Sequence, residues 1–379
     1  MTTGRNLTVK LSLPSRVGAV ALAGVLALSL TACGSDDPVG DAPSASGGST
    51  DMAGAMSGEL NGVGSSAQEK AMDAWRAGFQ TANPDVTVNY DPAGSSAGRT
   101  QFIEGGADWA GSDSALKPEE LTSAKETCKS DAIDIPVYVS PIAVVFNLDG
   151  VTSLNLSAET IANIFAGKVK TWDDAAIKAD NPDAKLPSTA ITPVHRQDGS
   201  GTTKNFTDYL NKAANGAWTA EGADDWPLQG GESGTGTSGL IQAVQGGQGT
   251  IGYADESAAG TLGKVSIKVG DAFVGPTAEA AAIAVDASPR DEERGANDVV
   301  VKVDRTTTVA GAYPLILVSY AVACSTYADD AKANLVKGLL GYIVSAEGQS
   351  AAQSAAGSAP LPEKLAADAK TAVDAIAGA

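Results

Sequence analysis

Arg196-Gln197-Asp198-Gly199-Ser200-Gly201-Thr202 places a permanent cation just ahead of a small hydroxyl-rich loop. A guanidinium is a planar fork that two oxygens of one anion can occupy at once. Serine and threonine hydroxyls add further donors, and glycine lets the backbone approach closely. Two more loops share this make-up, Gly64-Ser65-Ser66-Ala67 and Gly94-Ser95-Ser96, and all three run into helical patterns. The first turn of a helix carries unpaired N–H groups and the positive end of the helix dipole. Together, Ser65, Ser66, Ala67, Ser95, Arg196, Ser200, Gly201 and Thr202 could surround a small oxyanion with donors. Any one of these loops alone reads equally well as a plain helix cap. Asp198 reads either as the acid that steadies Arg196 from behind or as a turn residue before Gly199.

The acid in Gly111-Ser112-Asp113 sharpens the chemistry. A carboxylate only accepts hydrogen bonds. Phosphate near neutral pH carries a proton to give it; sulfate carries none. A site built around a ligand's polar hydrogen can reject analogues without it by roughly 10⁴–10⁵. The plainer reading of Asp113 is a turn or cap aspartate, which its spacing alone favours.

Positioning these residues requires alternating strands and helices. Residues 59–64 and 86–91 read as strands, and apolar positions 67, 71, 75 and 79 predict a helix over 66–80. Ser66 with Glu69 fits a capping box at its start. A helix over 96–107 leads to a strand and turn at 108–113. Residues 133–147 are an apolar run interrupted by Pro136 and Pro141, read as a crossing between domains. Ile191–Arg196 is the strand that delivers the first motif; 157–167 and 239–245 read as helices and 250–255 as a strand. Residues 313–324 form a buried return strand, and 328–356 follow a helical period. Short βα units whose strands leave one region and come back fit two α/β lobes joined by crossings.

The front of the chain bears on location. Residues 1–16 are basic and free of acids, and 17–30 form an apolar run of signal-peptide length, too short to span a bilayer comfortably. Leu30-Thr31-Ala32-Cys33-Gly34 resembles a bacterial lipobox, with cleavage before Cys33 and lipid on its thiol; the alternative is an ordinary secretory signal with a chance cysteine. Residues 1–32 are therefore read as a lipoprotein signal peptide, and 33–56, rich in Gly, Ser, Ala and Asp, as a flexible tether. What remains is long enough for two domains.

Composition excludes several classes. The net charge of −19 disfavours nucleic acid, whose phosphates call for basic patches. It also opposes anion capture at long range, so an anion site must win locally, with oriented donors in a closed pocket. His195 is the single histidine, which argues against His-based metal sites. Cys128 and Cys324 remain after Cys33; in an exported chain they form a disulfide or stay as two buried thiols. Neither has a C-x-x-C neighbour, so zinc and redox readings are weak. Gly94-Ser95-Ser96-Ala97-Gly98 matches the nucleophile elbow of serine hydrolases. However, strict alternation along a strand puts His195 on the face opposite Arg196. Gly234–Gly239 matches G-x-G-x-x-G without the strand and distal acid of a dinucleotide site.

Taken in order, residues 62–66, 88–116, 156–174 (LSAETIANIFAGKVKTWDD) and 194–206 (VHRQDGSGTTKNF), extended by 246–255 and 313–322, resemble the phosphate-binding lipoprotein of the bacterial high-affinity phosphate ABC importer. The similarity covers nearly all of the chain after the tether. It implies a two-lobed periplasmic-binding-protein fold of type II, with mixed sheets flanked by helices and two hinge crossings. Lobe I would comprise 57–138 and 314–379, and lobe II 139–313. It further implies a monomer that is not an enzyme, uses no cofactor or metal, and delivers inorganic phosphate to membrane permease subunits from outside the membrane. The implied ligands are Ser66, the Ala67 backbone, Ser95, Asp113, Arg196, Ser200, Gly201 and Thr202. Some relatives have Thr then Phe where this chain has Ser66 then Ala67. The stretch 260–310 matches least and receives no role. A binding protein for sulfate or another oxyanion is the nearest alternative.

Overall fold

The computed structural model describes residues 56–379; the signal segment, Cys33 and the rest of the tether lie outside the described residues. The chain begins β1 (Gly58–Gly64), α1 (Glu69–Ala82), β2 (Val86–Asp91), α2 (Ser95–Ile103), β3 (Trp109–Ser112) and α3 (Pro118–Cys128). Strands β2 and β3 both pair in parallel with β1, as right-handed βαβ crossovers dictate. Then comes the long strand β4 (Ala132–Asn147).

A second wing follows: β5 (Ser153–Leu156), α4 (Ala158–Phe165), α5 (Ala175–Asp180), β6 (Thr192–Arg196), α6 (Gly201–Ala213), β7 (Glu232–Gly234), α7 (Gly236–Gly246) and β8 (Thr250–Asp255). The stretch that the sequence left without a role holds β9 (Gly263–Val269), β10 (Ala272–Val274) and α8 (Ala278–Asp286). The chain returns through β11 (Ile316–Cys324) and ends in β12 (Thr326–Tyr327), α9 (Asp330–Val344), α10 (Ala346–Ala356), α11 (Glu363–Asp374) and β13 (Ala377–Gly378). The single helical period expected over 328–356 is two helices, because Ser345 leaves helical geometry and caps α10 through the Gly348 N–H.

One mixed sheet runs β2-β1-β3-β11-β4-β8-β6-β7, with β9 joining β4 to β5 and β10. Strand β4 serves both wings. Up to Pro141 it pairs antiparallel with β11, and from Ile142 it pairs antiparallel with β8. Nearly every β4 residue is buried, which explains the unbroken apolar run: strands covered on both faces show no alternation. The two prolines do not interrupt the strand. Pro141 lies where pairing passes from β11 to β8, and Pro136 lies beside a register shift opposite Ser319 and Tyr320. A proline has no N–H to offer a ladder, so it sits where the ladder is already broken.

Cys128 at the end of α3 and Cys324 at the end of β11 form a disulfide with Cα atoms 5.5 Å apart, closing a loop of sequence separation 196. It staples a small satellite core of Phe102, Ala110, Leu116, Ala124 and Val322. Cross-links of this span stabilise by about 2–5 kcal/mol through the unfolded chain. Replacing both cysteines with serine is expected to lower the melting temperature by several degrees and leave ligand affinity within twofold. A thermal melt and a titration of the same variant check both parts; an unchanged melt would contradict the stapling role.

Candidate functional site

Three loop-to-helix junctions meet between the wings, each shaped differently. At the first, α1 starts at Glu69 with Gln68 as its cap and no side-chain cap bond, so the expected Ser66–Glu69 capping box is absent. Ser66 is instead held by the other wing. Its Oγ lies 3.0 Å from Thr237 Oγ1 and accepts the Thr237 N–H at 3.0 Å. Ser65 shapes the turn: its Oγ accepts the Ala67 N–H (3.1 Å), and its carbonyl accepts from Tyr90 (2.9 Å). All three residues are buried.

At the second junction, α2 starts at Ser95 rather than Ser96, after Gly94 at φ +104°. A Cβ on Gly94 would lie 2.8 Å from Asp198 Oδ2 and 3.7 Å from Arg196 Nη2, so this loop packs directly against the second motif. Ser95 Oγ accepts the Asp113 N–H at 3.1 Å. At the third, Ser200 caps α6 by accepting the Thr203 N–H at 3.2 Å, and Lys204 N donates to the Ser200 carbonyl. Two hydrogen-bond donors at the very start of α6, the Gly201 and Thr202 N–H groups, have no acceptor among the described residues. Gly201 is seated so tightly that a Cβ there would be 2.7 Å from both Asp113 Cβ and Ser95 Oγ.

Asp113 is 3% exposed and sits where the wings touch. Thr202 Oγ1 donates to its Oδ2 (3.0 Å), Ser319 Oγ to its Oδ1 (2.7 Å), and Asn205 Nδ2 to its carbonyl (2.7 Å). Ser319 belongs to the shifted register of β11, and such bulges re-aim side chains beside functional sites.

Arg196, also 3% exposed, donates through Nε to Asp198 Oδ1 at 2.8 Å and through Nη2 to Asp198 Oδ2. Asp198 thus holds the fork while Gly236 N–H binds its Oδ1 at 2.8 Å. Burial pushes the Asp198 carboxyl up, but the Arg196 hydrogen bond and charge, with the Gly236 N–H, outweigh it and hold it below the usual carboxylate range. Behind them Tyr253 receives the Arg196 N–H and contacts Thr203 Oγ1 at 2.8 Å; burial pushes its hydroxyl up to about 12.

The wings are also tied by Arg99. Its guanidinium, 1% exposed, contacts Ser112 and Ser114 at 3.0 Å and Glu120 at 3.1 Å within its own wing. Its Nη2 reaches Asp224 at 2.9 Å across the boundary. The Asp224 carbonyl in turn fixes the Ser200 N–H. Ser319, Thr237, Asn205, Arg99 and Asp224 were not found from sequence; each acts from a distant segment, without a local motif.

All nine predicted binding positions are buried around these junctions. The geometry suits a small anion: one fixed guanidinium, several hydroxyls, helix-start N–H groups and one acceptor, Asp113. The hydrolase arrangement is not formed. The His195 ring lies with Nδ1 2.9 Å from the Arg196 carbonyl oxygen, stacks on Trp226 with ring centroids 5.0 Å apart, and makes no hydrogen bond to Ser96.

Among known proteins, a family model described as a PBP superfamily domain matches residues 45–347. The phosphate-binding protein PstS 3 of Mycobacterium tuberculosis is 36% identical over 94% of this chain and 98% of its own length. The phosphate-binding protein PstS of Xylella fastidiosa is 33% identical over 69% of this chain and 71% of its own. In fold, the chain is similar to a high-affinity periplasmic phosphate-binding protein solved with phosphate bound (PfluDING; TM-score 0.67, 22% identity, 83% and 93% of the two chains). It is likewise similar to a phosphate-binding protein from Stenotrophomonas maltophilia (TM-score 0.64, 21% identity, 83% and 93%).

Proposed function

The chain belongs to the phosphate-binding proteins of the PBP superfamily, and from that membership we propose that it captures inorganic phosphate outside the membrane and hands it to the permease subunits of a phosphate ABC importer. The observation that carries this reading is the meeting of Arg196, Asp113, Ser95, Gly201 and Thr202 at one closed junction between the two wings. Residues 57–138 and 314–379 act as lobe I and 139–313 as lobe II. Lobe I brings Ser66, Ser95 and Asp113; lobe II brings Arg196 and Ser200–Thr202. Ser65 shapes the turn that presents Ser66 and Ala67.

No bond is made or broken in this scheme. Phosphate touches both sets of donors only when the lobes are together, so it shifts the population toward the closed form that a permease would read. Each charge-assisted hydrogen bond contributes about 1.5–3 kcal/mol, and micromolar binding needs only about −8 kcal/mol, so a handful suffices. Lipid on Cys33 would keep the protein at the membrane face, with the stretch to residue 56 as its leash.

Asp113 gives the reading its selectivity. With its oxygens already facing hydroxyl donors, it welcomes a protonated oxyanion and repels sulfate. In calorimetry, phosphate is expected to bind with unchanged heat in a large excess of sulfate; displacement by sulfate would sink the assignment. Asp113→Asn, which supplies an N–H donor where only acceptors stood, is expected to shrink the phosphate-over-sulfate preference at least tenfold. An unaltered ratio of dissociation constants would remove the proton from the recognition scheme.

A further inference from the structure

Beside the proposed phosphate site, and reaching Asp113, lies an open pocket of about 530 Å³. The two share a wall. Asn205 forms it, donating to the Asp113 carbonyl at 2.7 Å and the Gly201 carbonyl at 2.9 Å, and Arg305 braces Asn205 from the far side. Asp113 lines this space as well, with its carboxylate oxygens taken by Thr202 and Ser319.

The cavity walls reverse the sign of the molecule. In a chain of net charge −19, the cavity is lined by Lys117, Lys204, Lys212, Arg294, Lys302 and Arg305. Only three carboxylates line it with them, and each is engaged: Asp208 by Arg305 and Lys212, Asp291 by Lys302, and Asp113 by Thr202 and Ser319. Further acids stand behind the walls: Asp134 and Asp298 hold Arg294, and Asp224 stands 3.4 Å from Lys117.

Lys204 is the exception. It is half-buried on α6, and among the described residues its ammonium forms no ion pair or hydrogen bond. Burial pushes its pKa down, and the Arg99 and Lys117 charges add to this against the pull of Asp224 and Glu120. An ammonium kept in such a place gains from any anion that enters. The two arginines are committed: Arg305 to the Pro314 and Ile316 carbonyls, Arg294 to the Leu116 carbonyl and its acids. Lys204 is the uncommitted cation, and Lys117, Lys212 and Lys302 reach a ligand on flexible stems while keeping or exchanging the carboxylates they now pair with.

We propose that this cavity is a second anion site, fitted to an extended anion with two or more linked phosphoryl groups rather than to a single tetrahedral ion. The pocket has room for more than one such ion, and its cations come from separate places: Lys204 and Lys212, about 12 Å apart along α6 at about 1.5 Å per residue, Lys117 at the start of α3, and the 294–305 stretch. A condensed inorganic phosphate or the phosphate chain of a nucleotide presents that pattern of separated charges.

The test uses the intact protein. Orthophosphate is titrated first, which reports the cleft on its own. Tripolyphosphate is then titrated into the phosphate-saturated protein, and ATP into a parallel sample. One equivalent of tripolyphosphate is expected to bind without releasing orthophosphate, and more weakly as salt is raised. Lys204→Gln is expected to weaken it at least tenfold while leaving orthophosphate affinity within twofold, with Lys117→Gln as a second variant should the first fold poorly. Equal binding of ATP supports a site for phosphate esters as well; binding of tripolyphosphate alone supports one for the inorganic chain. No binding to the phosphate-saturated protein, displacement of orthophosphate, or full affinity in both lysine variants overturns the proposal.

Discussion

Phosphate affinity is expected to fall by at least a hundredfold when Arg196 is replaced by alanine. The guanidinium is 3% exposed and paired through two nitrogens with Asp198. Truncating one member of a buried, hydrogen-bonded charge pair costs about 2–5 kcal/mol or more, and each 1.4 kcal/mol is a factor of ten. Two losses act together here. The anion would lose the guanidinium proposed to hold it, and Asp198, which Arg196 holds below the usual carboxylate range, would be left as a bare negative charge. Arg196→Lys is expected to fall between, since it restores charge but not the planar fork. Calorimetric titration decides; alanine binding within twofold of the parent would remove Arg196 from the site.

A comparable loss, at least a hundredfold, is expected from Gly201→Ala, through sterics alone. The added carbon would stand 2.7 Å from Asp113 Cβ and Ser95 Oγ, closer than such atoms approach. Those atoms belong to the other wing, so relief requires the junction to open, the very movement that unmakes the donor set. The helix itself does not suffer. Gly201 is the first residue of α6, and alanine there costs the helix nothing. Affinity should therefore collapse while the melting temperature holds. A variant that binds phosphate as well as the parent would show that the wings do not need this closeness.

Much of this was legible in residue types. Arg196, Asp113 and the Gly-Ser loops could be picked out because an anion site needs few kinds of group, placed at helix starts, and the structure gathers them at one junction. Strand alternation argued against a His195–Ser96 pair, and in the structure His195 is occupied by Trp226 and the Arg196 carbonyl. Other features had no local signature. The Ser66–Glu69 pattern suggested a cap, but Thr237 from the other wing claims the Ser66 hydroxyl, and the helix begins later. Pro136 and Pro141 looked like breaks; the strand continues because both sit where its ladder changes. Ser319 faces Asp113 only because β11 slips its register there, which no reading of one strand alone could disclose. The polar stretch 260–310 hid three elements, since β9 draws its partners from β4, β5 and β10 rather than from its own neighbourhood alone.

Any parting of the wings must break the bond from Arg99 to Asp224. Kept from water, the two charges attract strongly; once wetted, an ion pair is worth little and each partner recovers its hydration. The pair therefore resists parting only until solvent reaches it. A half-open arrangement that parts the charges before water reaches them has neither the attraction nor the hydration, so such a pair favours the two ends, shut or fully solvated, over anything between.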